Sequence, residues 1–358
     1  MKFTINRNEL HKGLTAISKV VKSSVIIPIT ECVKIDVSEE NIILTTTNTT
    51  VEMSCIIKYE NFETGSFCIQ FSRLSLLVKN LTDQPLSFAI SETMATIKTS
   101  AGKYEIPIEE AKNFPLMKIS NKHQVKLPYD RFADGINSVS YAAGVKDDRE
   151  YLMGVFMEFG EQIKYTATDA NRLNHVNSKI SGGEGSIIIP SAAIRVLPES
   201  KGEVLLFIQK DAIAIFYETG ISVKSRLIDG VYPAYNNIIP KDNDKIVEID
   251  RVQLISALKR LSIFARESGV IKFDFSYSGL KLIADNVDYS ISGEELINID
   301  WQYEGLIIGF SNEILQESLS AIKSDVITLS LSHPKIAGLL TSLDNPDAYI
   351  LIMPMLIL

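Results

Sequence analysis

Residues 6–21, NRNELHKGLTAISKVV, place Leu10, Leu14, Ile17 and Val21 at the i, i+4, i+7, i+11 spacing that lays one apolar stripe along a helix. The same stripe returns as Phe132, Ile136, Val139 and Ala143, and again as Leu254, Leu258, Leu261 and Ala265. The interval is 122 residues each time, from position 10 to 132 to 254. A β-like lead-in precedes each copy: MKFTIN at Met1, HQVKLP at His123 and KIVEID at Lys245. Three copies of one unit point to an assembled architecture instead of a single catalytic core.

The repetition extends past the first helix. A β-branched stretch ending in a polar turn follows in each unit: NIILTTTN (Asn41 to Asn48), IKYTATD (Ile163 to Asp169) and LKLIADN (Leu280 to Asn286). A second helix is expected at Ser72 to Leu81, Pro190 to Ser200 and Ser311 to Lys323, the first and third with Ser at the N-cap. Segments such as SFCIQF, LSFAIS and MATIKTS alternate apolar and polar residues, the pattern of half-buried antiparallel strand. The expected fold class is α+β, with two helices per unit packed on one face of antiparallel sheet. Charged, polar connections near Lys118–Lys122 and Lys241–Lys245 set the expected domains at 1–120, 121–244 and 245–358. Units of this size match the commonest domain length.

The composition, 46% hydrophobic and 22% charged, is that of an ordinary globular chain able to bury a core in each unit. Without a long apolar stretch near Met1, and with the apolar run Tyr349–Leu358 interrupted by Pro354, the expected location is the cytoplasm. Cys32, Cys55 and Cys68 form no C-x-x-C pair and read as buried reduced thiols.

A net charge of −8 argues against indiscriminate binding to nucleic acid, but not against a basic surface confined to one face. Lys12, Lys19 and Lys22 fall opposite the first stripe. Lys259 and Arg260 fall opposite the third, with Arg251 and Arg266 on its flanks. The middle copy is weaker: Asp134, Tyr141 and Gly144 point outward there, and its bases are Arg131, Lys146 and Arg149. Summed over the six helical windows the charge is positive, so the rest of the chain is more acidic than the total. Helices facing a polyanion would be distributed in this way.

No nucleotide-binding glycine loop, zinc-protease motif or nucleophile elbow is present. His11, His123, His175 and His333 lack metal-ligand spacing. Ser320 and Lys323 match S-x-x-K inside an amphipathic helix, where the pairing is common by chance. Asn48-Thr49-Thr50 and Asn80-Leu81-Thr82 are sequons without meaning in a cytosolic chain. No catalytic residue, metal or cofactor is expected, and a binding or structural ring is favoured over an enzyme with an unfamiliar site.

Four segments, in order, resemble the bacterial β sliding clamps, the processivity subunits of DNA polymerase III. They are MKFTINRNELHKGL at the start; ATDANRL (Ala167 to Leu173), similar to the family's ATDGHRL; SRLIDGVYPAYNNIIP (Ser225 to Pro240), similar to SKLVDGRFPDYRRVLP; and MPMLIL (Met353 to Leu358), similar to MPMRL. The resemblance runs essentially end to end. It implies a head-to-tail homodimer, six units in a closed ring, with helices lining the hole and sheets outside. Duplex DNA would be held without base readout, and the ring retained by topology more than by affinity. The implied partners are double-stranded DNA, the polymerase III catalytic subunit, a clamp loader and other proteins carrying the clamp-binding motif. No membrane is involved.

The DNA-facing set so implied is Lys12, Lys19, Lys22, Arg73, Lys79, Arg149, Tyr151, Arg195, Lys259 and Arg260, with Arg149 and Tyr151 in the loop DDREYLMG. A cleft between the second and third units would take a partner peptide of glutamine followed by leucine and aromatic anchors. Its matching positions are Leu152, Thr168, Ala170, Arg172, Leu173, Pro233, Ile238, Ile314, Met353, Pro354 and Met355. For the dimer interface the matches are Ile263 and Phe264, with Glu294 and Glu295 facing basic groups such as Arg73, Lys98 or Lys103 across it. The chain departs from the family at Ala170-Asn171 (Gly-His), at Asn237 (Arg) and at Leu356-Ile357 (Arg in the tail). These departures put partner selectivity in doubt and leave open a divergent paralogue or ring scaffold with an altered partner set.

Overall fold

Each apolar stripe folds as a helix lying on antiparallel sheet. Helix α1 is Arg7–Ile17, α2 Phe71–Asn80, α3 Tyr129–Val139, α4 Ser191–Ile194, α5 Arg251–Leu261 and α6 Asn312–Ala321. Leu10, Leu14 and Ile17, then Phe132, Ile136 and Val139, then Leu254, Leu258 and Leu261 are all buried, as the spacing requires. The computed structural model describes residues 1–21, 27–59, 63–120, 123–265, 269–286 and 290–357. Lys22, Arg266 and Leu358 lie outside them.

The strands form two compact units. The first comprises Met1–Phe132 and Ala192–Leu227 and holds a 12-stranded sheet, from the edge strand Lys2–Asn6 to the edge strand Gln124–Pro128. Inside it, Val51–Lys58 of the first repeat pairs antiparallel with Ile221–Arg226 of the middle one. The second unit comprises Ala133–Ser191 and Ile228–Leu358, with an 8-stranded and a 4-stranded sheet. There Arg172–Asn177 of the middle repeat pairs with Ala348–Ile352 near the C-terminus. Half of the middle repeat thus shares backbone hydrogen bonds with the first copy and half with the third.

Each first helix is anchored at the same repeat position. Arg7 donates through Nε to Val78 O (2.7 Å) and through Nη2 to Lys79 O (2.6 Å), satisfying carbonyls at the end of α2. Arg251, at the matching position of the third copy, donates through Nε to Ser324 O (2.5 Å) and through Nη1 to Leu319 O (3.4 Å). In the middle copy the residue is Tyr129, whose hydroxyl donates to Pro198 O (3.4 Å). A second position in register is small: Gly13, Gly135 and Ala257. A Cβ on Gly13 would lie 2.9 Å from methyl carbons of Leu44 and Ile57; on Gly135 it would lie 2.4 Å from the Tyr165 ring. The helix rests directly on the strands there, and only a small side chain fits.

The helices are shorter than the stripes suggest. α1 and α3 tighten into 3₁₀ turns at Ser18–Val20 and Ser140–Ala142, so Val21, Ala143 and Ala265 lie past the helix ends. The second helix of the middle repeat is a single turn instead of Pro190 to Ser200. Val196 and Leu197 bond back to Ala193 and Ile194 in tight turns, and Pro198 disfavours helical backbone at the residue before it. At α6 Ser311 is the N-cap, its Oγ accepting from Ile314 N (3.4 Å). At α2 the cap is Gln70, without a side-chain bond, because the strand Gly65–Gln70 runs straight into the helix and puts Ser72 in its first turn.

Candidate functional site

The hairpin of Lys164–Thr168 and Arg172–Asn177 carries four of the expected cleft residues. Its turn closes with side chains: Thr168 Oγ1 accepts from Ala170 N (3.1 Å), and Asp169 Oδ1 accepts from Asn171 N and Arg172 N (both 2.9 Å). Ala170 is thereby held at φ 72°, a left-handed conformation in which Cβ crowds the backbone. The first repeat builds the same turn from Thr47 and Asn48, with Thr49 at φ 73°. Alanine at this left-handed position, where the motif it resembles carries glycine, is therefore accommodated by strain.

Arg172 organises the polar side of the site. Its buried guanidinium donates through Nε to Asp169 Oδ2 (3.1 Å), through Nη1 to Glu317 Oε2 (2.6 Å) and through Nη2 to Tyr141 O (3.0 Å). It also sits 5.0 Å from the centre of the Tyr141 ring. Burial pushes the Tyr141 phenol up to about 12, so it stays protonated and accepts from Asn174 Nδ2 (2.9 Å). Three residues beyond Tyr141, Gly144 N donates to Leu152 O (2.8 Å), which ties the Leu152 turn to the same wall.

Leu173 and Leu152 are buried. Leu173 belongs to an apolar cluster with Ile188, Tyr232, Tyr235, Ala337 and Leu351, against which Tyr151 and Phe156 pack. Tyr232 stacks on Phe156 at 4.4 Å. The segment bearing Pro233 and Ile238 leaves both exposed, beside the buried Tyr232 and Tyr235. Beyond strand Ala348–Ile352 the tail continues past the hairpin: Met353 N donates to Asn171 O and Met355 N to Gly309 O, both 2.8 Å. A Cβ on Gly309 would meet Met355 O at 2.8 Å and Ile357 Cγ1 at 2.9 Å, so glycine is what lets the tail lie down there. Ile314, on α6, is partly buried against the core of the third repeat. Hairpin, Leu152 turn and tail are thus linked by hydrogen bonds. Pro233 and Ile238 are tied in through the tyrosine cluster, and Ile314 stands on a neighbouring helix.

Among the candidate cations, Lys12, Lys19, Arg73, Lys79 and Arg195 are exposed in the first unit, where α1 packs beside α2. Lys12 reaches Glu9 (3.0 Å). In the second unit Lys259, Arg260 and Arg149 are exposed, whereas Tyr151 is half-buried in the tyrosine cluster. Two of these guanidiniums are engaged. Arg149 donates through Nε and Nη2 to the two oxygens of Asp147 (both 2.8 Å), which holds that carboxyl down at about 2. Arg260 donates to both oxygens of Glu295 (2.7 and 2.6 Å). Glu294 pairs with Lys281, and Lys103 with Glu105, each at 2.6 Å. Ile263 is 72% exposed, and the Phe264 ring covers Gly293 on the edge strand Ile291–Ile297. Sequence reading missed Arg7 and Tyr129 as anchors. The signal was available in their alignment with Arg251 at the repeat interval.

Among the described residues no group of three or more His, Cys, Asp or Glu side chains is placed to hold a metal, and no helix is long and apolar enough to cross a membrane.

Family models for the N-terminal, central and C-terminal domains of the DNA polymerase III beta subunit match residues 1–118, 126–234 and 236–356. The beta sliding clamp of Chlamydia pneumoniae is 26% identical over 365 residues, covering 99% of both chains. That of Pseudomonas aeruginosa is 27% identical, covering 99% of this chain and 100% of the relative. A crystal structure of a Pseudomonas aeruginosa DNA polymerase sliding clamp superposes with a TM-score of 0.95 at 26% identity, over 100% of each chain. With a three-domain fold of mostly antiparallel sheet and about two helices per domain, the chain belongs to the DNA polymerase III beta subunit family, the beta sliding clamps, non-catalytic processivity factors of DNA replication whose partners are DNA and DNA polymerase.

Proposed function

We propose that two copies of this chain close head to tail into a cytoplasmic ring around duplex DNA, with domains 1–120, 121–244 and 245–358 contributing six units. The observation that carries this reading is the placement of exposed Lys12, Arg73 and Lys79 on the adjacent helices α1 and α2, with exposed Lys19 in the 3₁₀ turn that ends α1, in a chain of net charge −8. Lys22, Arg149, Tyr151, Arg195, Lys259 and Arg260 complete the DNA-facing set. Few, scattered cations attract phosphates without a strong single contact, as sliding requires. Exposed Ile263 with Phe264 forms the seam, and Lys103, Glu294 and Glu295 lie along it. Their pairing within one chain supplies ready partners for exchange across two.

The site around Leu152, Leu173, Arg172 and the tail is the proposed pocket for peptides of the polymerase III catalytic subunit, the clamp loader and other motif-bearing proteins. Thr168, Ala170, Pro233, Ile238, Ile314, Met353, Pro354 and Met355 form its walls and lip. Apolar walls with adaptable methionines suit varied anchors. The deciding experiment loads the protein on circular DNA with a clamp loader and ATP. Protein should stay on intact circles and leave when the circle is cut; equal loss from intact circles would overturn the reading.

A further inference from the structure

The charges at the pocket's mouth specify the chemistry of its partner. Arg172, buried, is shared between two carboxylates, Asp169 and Glu317, and Glu317 is 48% exposed. One negative charge is left over and faces outward. On the connected Leu152 turn, Arg149 is clamped by both oxygens of Asp147, and the run Lys146 to Glu150 keeps one surplus negative charge, with Asp148 and Glu150 exposed. Beyond the end of α6, Lys323 is countered by Asp134 (3.6 Å). The other lip is uncharged: Met353 to Ile357 carries no ionisable side chain, and Leu356 is 76% exposed. Asn236 and Asn237, exposed beside Ile238, are neutral as well.

We propose that this mouth selects peptides whose apolar anchors are flanked by Lys or Arg, and disfavours peptides flanked by Asp or Glu. The inference rests on the peptide-pocket reading above. An apolar floor supplies affinity that is blind to charge, and the surplus carboxylates then discriminate among flanks. Glu317 is the leading discriminator, because its half-exposed carboxylate projects from α6 and its position is fixed by Arg172.

The test titrates the full-length protein with two synthetic peptides sharing one core, a glutamine followed by leucine and phenylalanine anchors. One carries two flanking lysines and the other two flanking glutamates. The lysine peptide should bind roughly three- to tenfold more tightly at low salt, the scale set by reversing exposed charges. That ratio should shrink toward one in 1 M NaCl, where the screening length falls to about 3 Å. Glu317→Gln should lower the ratio while leaving the glutamate peptide's affinity unchanged or improved. Equal binding of the two peptides, or tighter binding of the glutamate peptide, would overturn the inference while leaving the pocket standing. If neither peptide binds, the pocket reading fails and the inference with it.

Discussion

Gly135→Ala sets two magnitudes of opposite sign against each other. In a helix interior alanine is better than glycine by about 1 kcal/mol, and residue 135 lies well inside α3 (Tyr129–Val139). Propensity alone therefore forecasts stabilisation. The added methyl, however, would lie 2.4, 2.6 and 2.7 Å from three atoms of the Tyr165 ring. Carbon contacts are optimal near about 3.5–4.0 Å, so helix or ring must shift by roughly 1 Å. Tyr165 is almost fully buried in strand Lys164–Thr168 and cannot swing into solvent. Overpacking of this kind costs about 1–3 kcal/mol, and a rigid ring places it near the upper end, for a net loss of about 1–2 kcal/mol. Gly13→Ala is the internal control. Its contacts, at 2.9 Å, are with the flexible ends of Leu44 and Ile57, so gain and cost should nearly cancel. Urea unfolding followed by circular dichroism gives the midpoint of each variant, and fluorescence of Trp301, the single tryptophan, follows the unit that holds Gly135. Trp301 lies in the same compact unit as Gly135 and Tyr165. A raised midpoint for Gly135→Ala would refute the close-approach argument.

Ala170→Gly should stabilise the protein by up to about 1 kcal/mol, since relief of about 1–2 kcal/mol of left-handed strain outweighs the extra backbone entropy of glycine; a lower midpoint would contradict this. Burial raises the Cys32 thiol to about 11 and Cys68 to about 12, and raises Cys55 as well. The thiolate fraction at pH 8 is thus far below that of a free cysteine. Iodoacetamide at pH 8 should label the native protein slowly and all three cysteines quickly after unfolding. Fast native labelling would show that the first-repeat core is open. Ile263→Ala with Phe264→Ala should lower the sedimentation mass from dimer to monomer, and an unchanged mass would move the seam elsewhere.

Much of the fold was legible because its signal is local. An apolar stripe recurs every turn, and strands alternate every second residue, so the three copies, their helix faces and the β-branched strands ending in polar turns could be read without any partner. The polar turn at Asp169 was legible for the same reason: the hydrogen bonds that close it span only a few residues. Helix ends were read less well. Pro198 cut α4 to a single turn, and 3₁₀ tightening ended α1 and α3 early.

What the chain determined by itself, then, was the repeating unit, its count and its family, because periodicity and motif order need no knowledge of contacts. Tertiary structure alone decided which charges are free and where the repeats join. Arg172 meets Glu317 from 145 positions away, and Arg260 meets Glu295 from 35. The strand Val51–Lys58 finds its neighbour in Ile221–Arg226, a pairing encoded in no local pattern. A cation's usefulness depends on which carboxylate the fold brings within about 3 Å, and that distance exists only after the chain has folded.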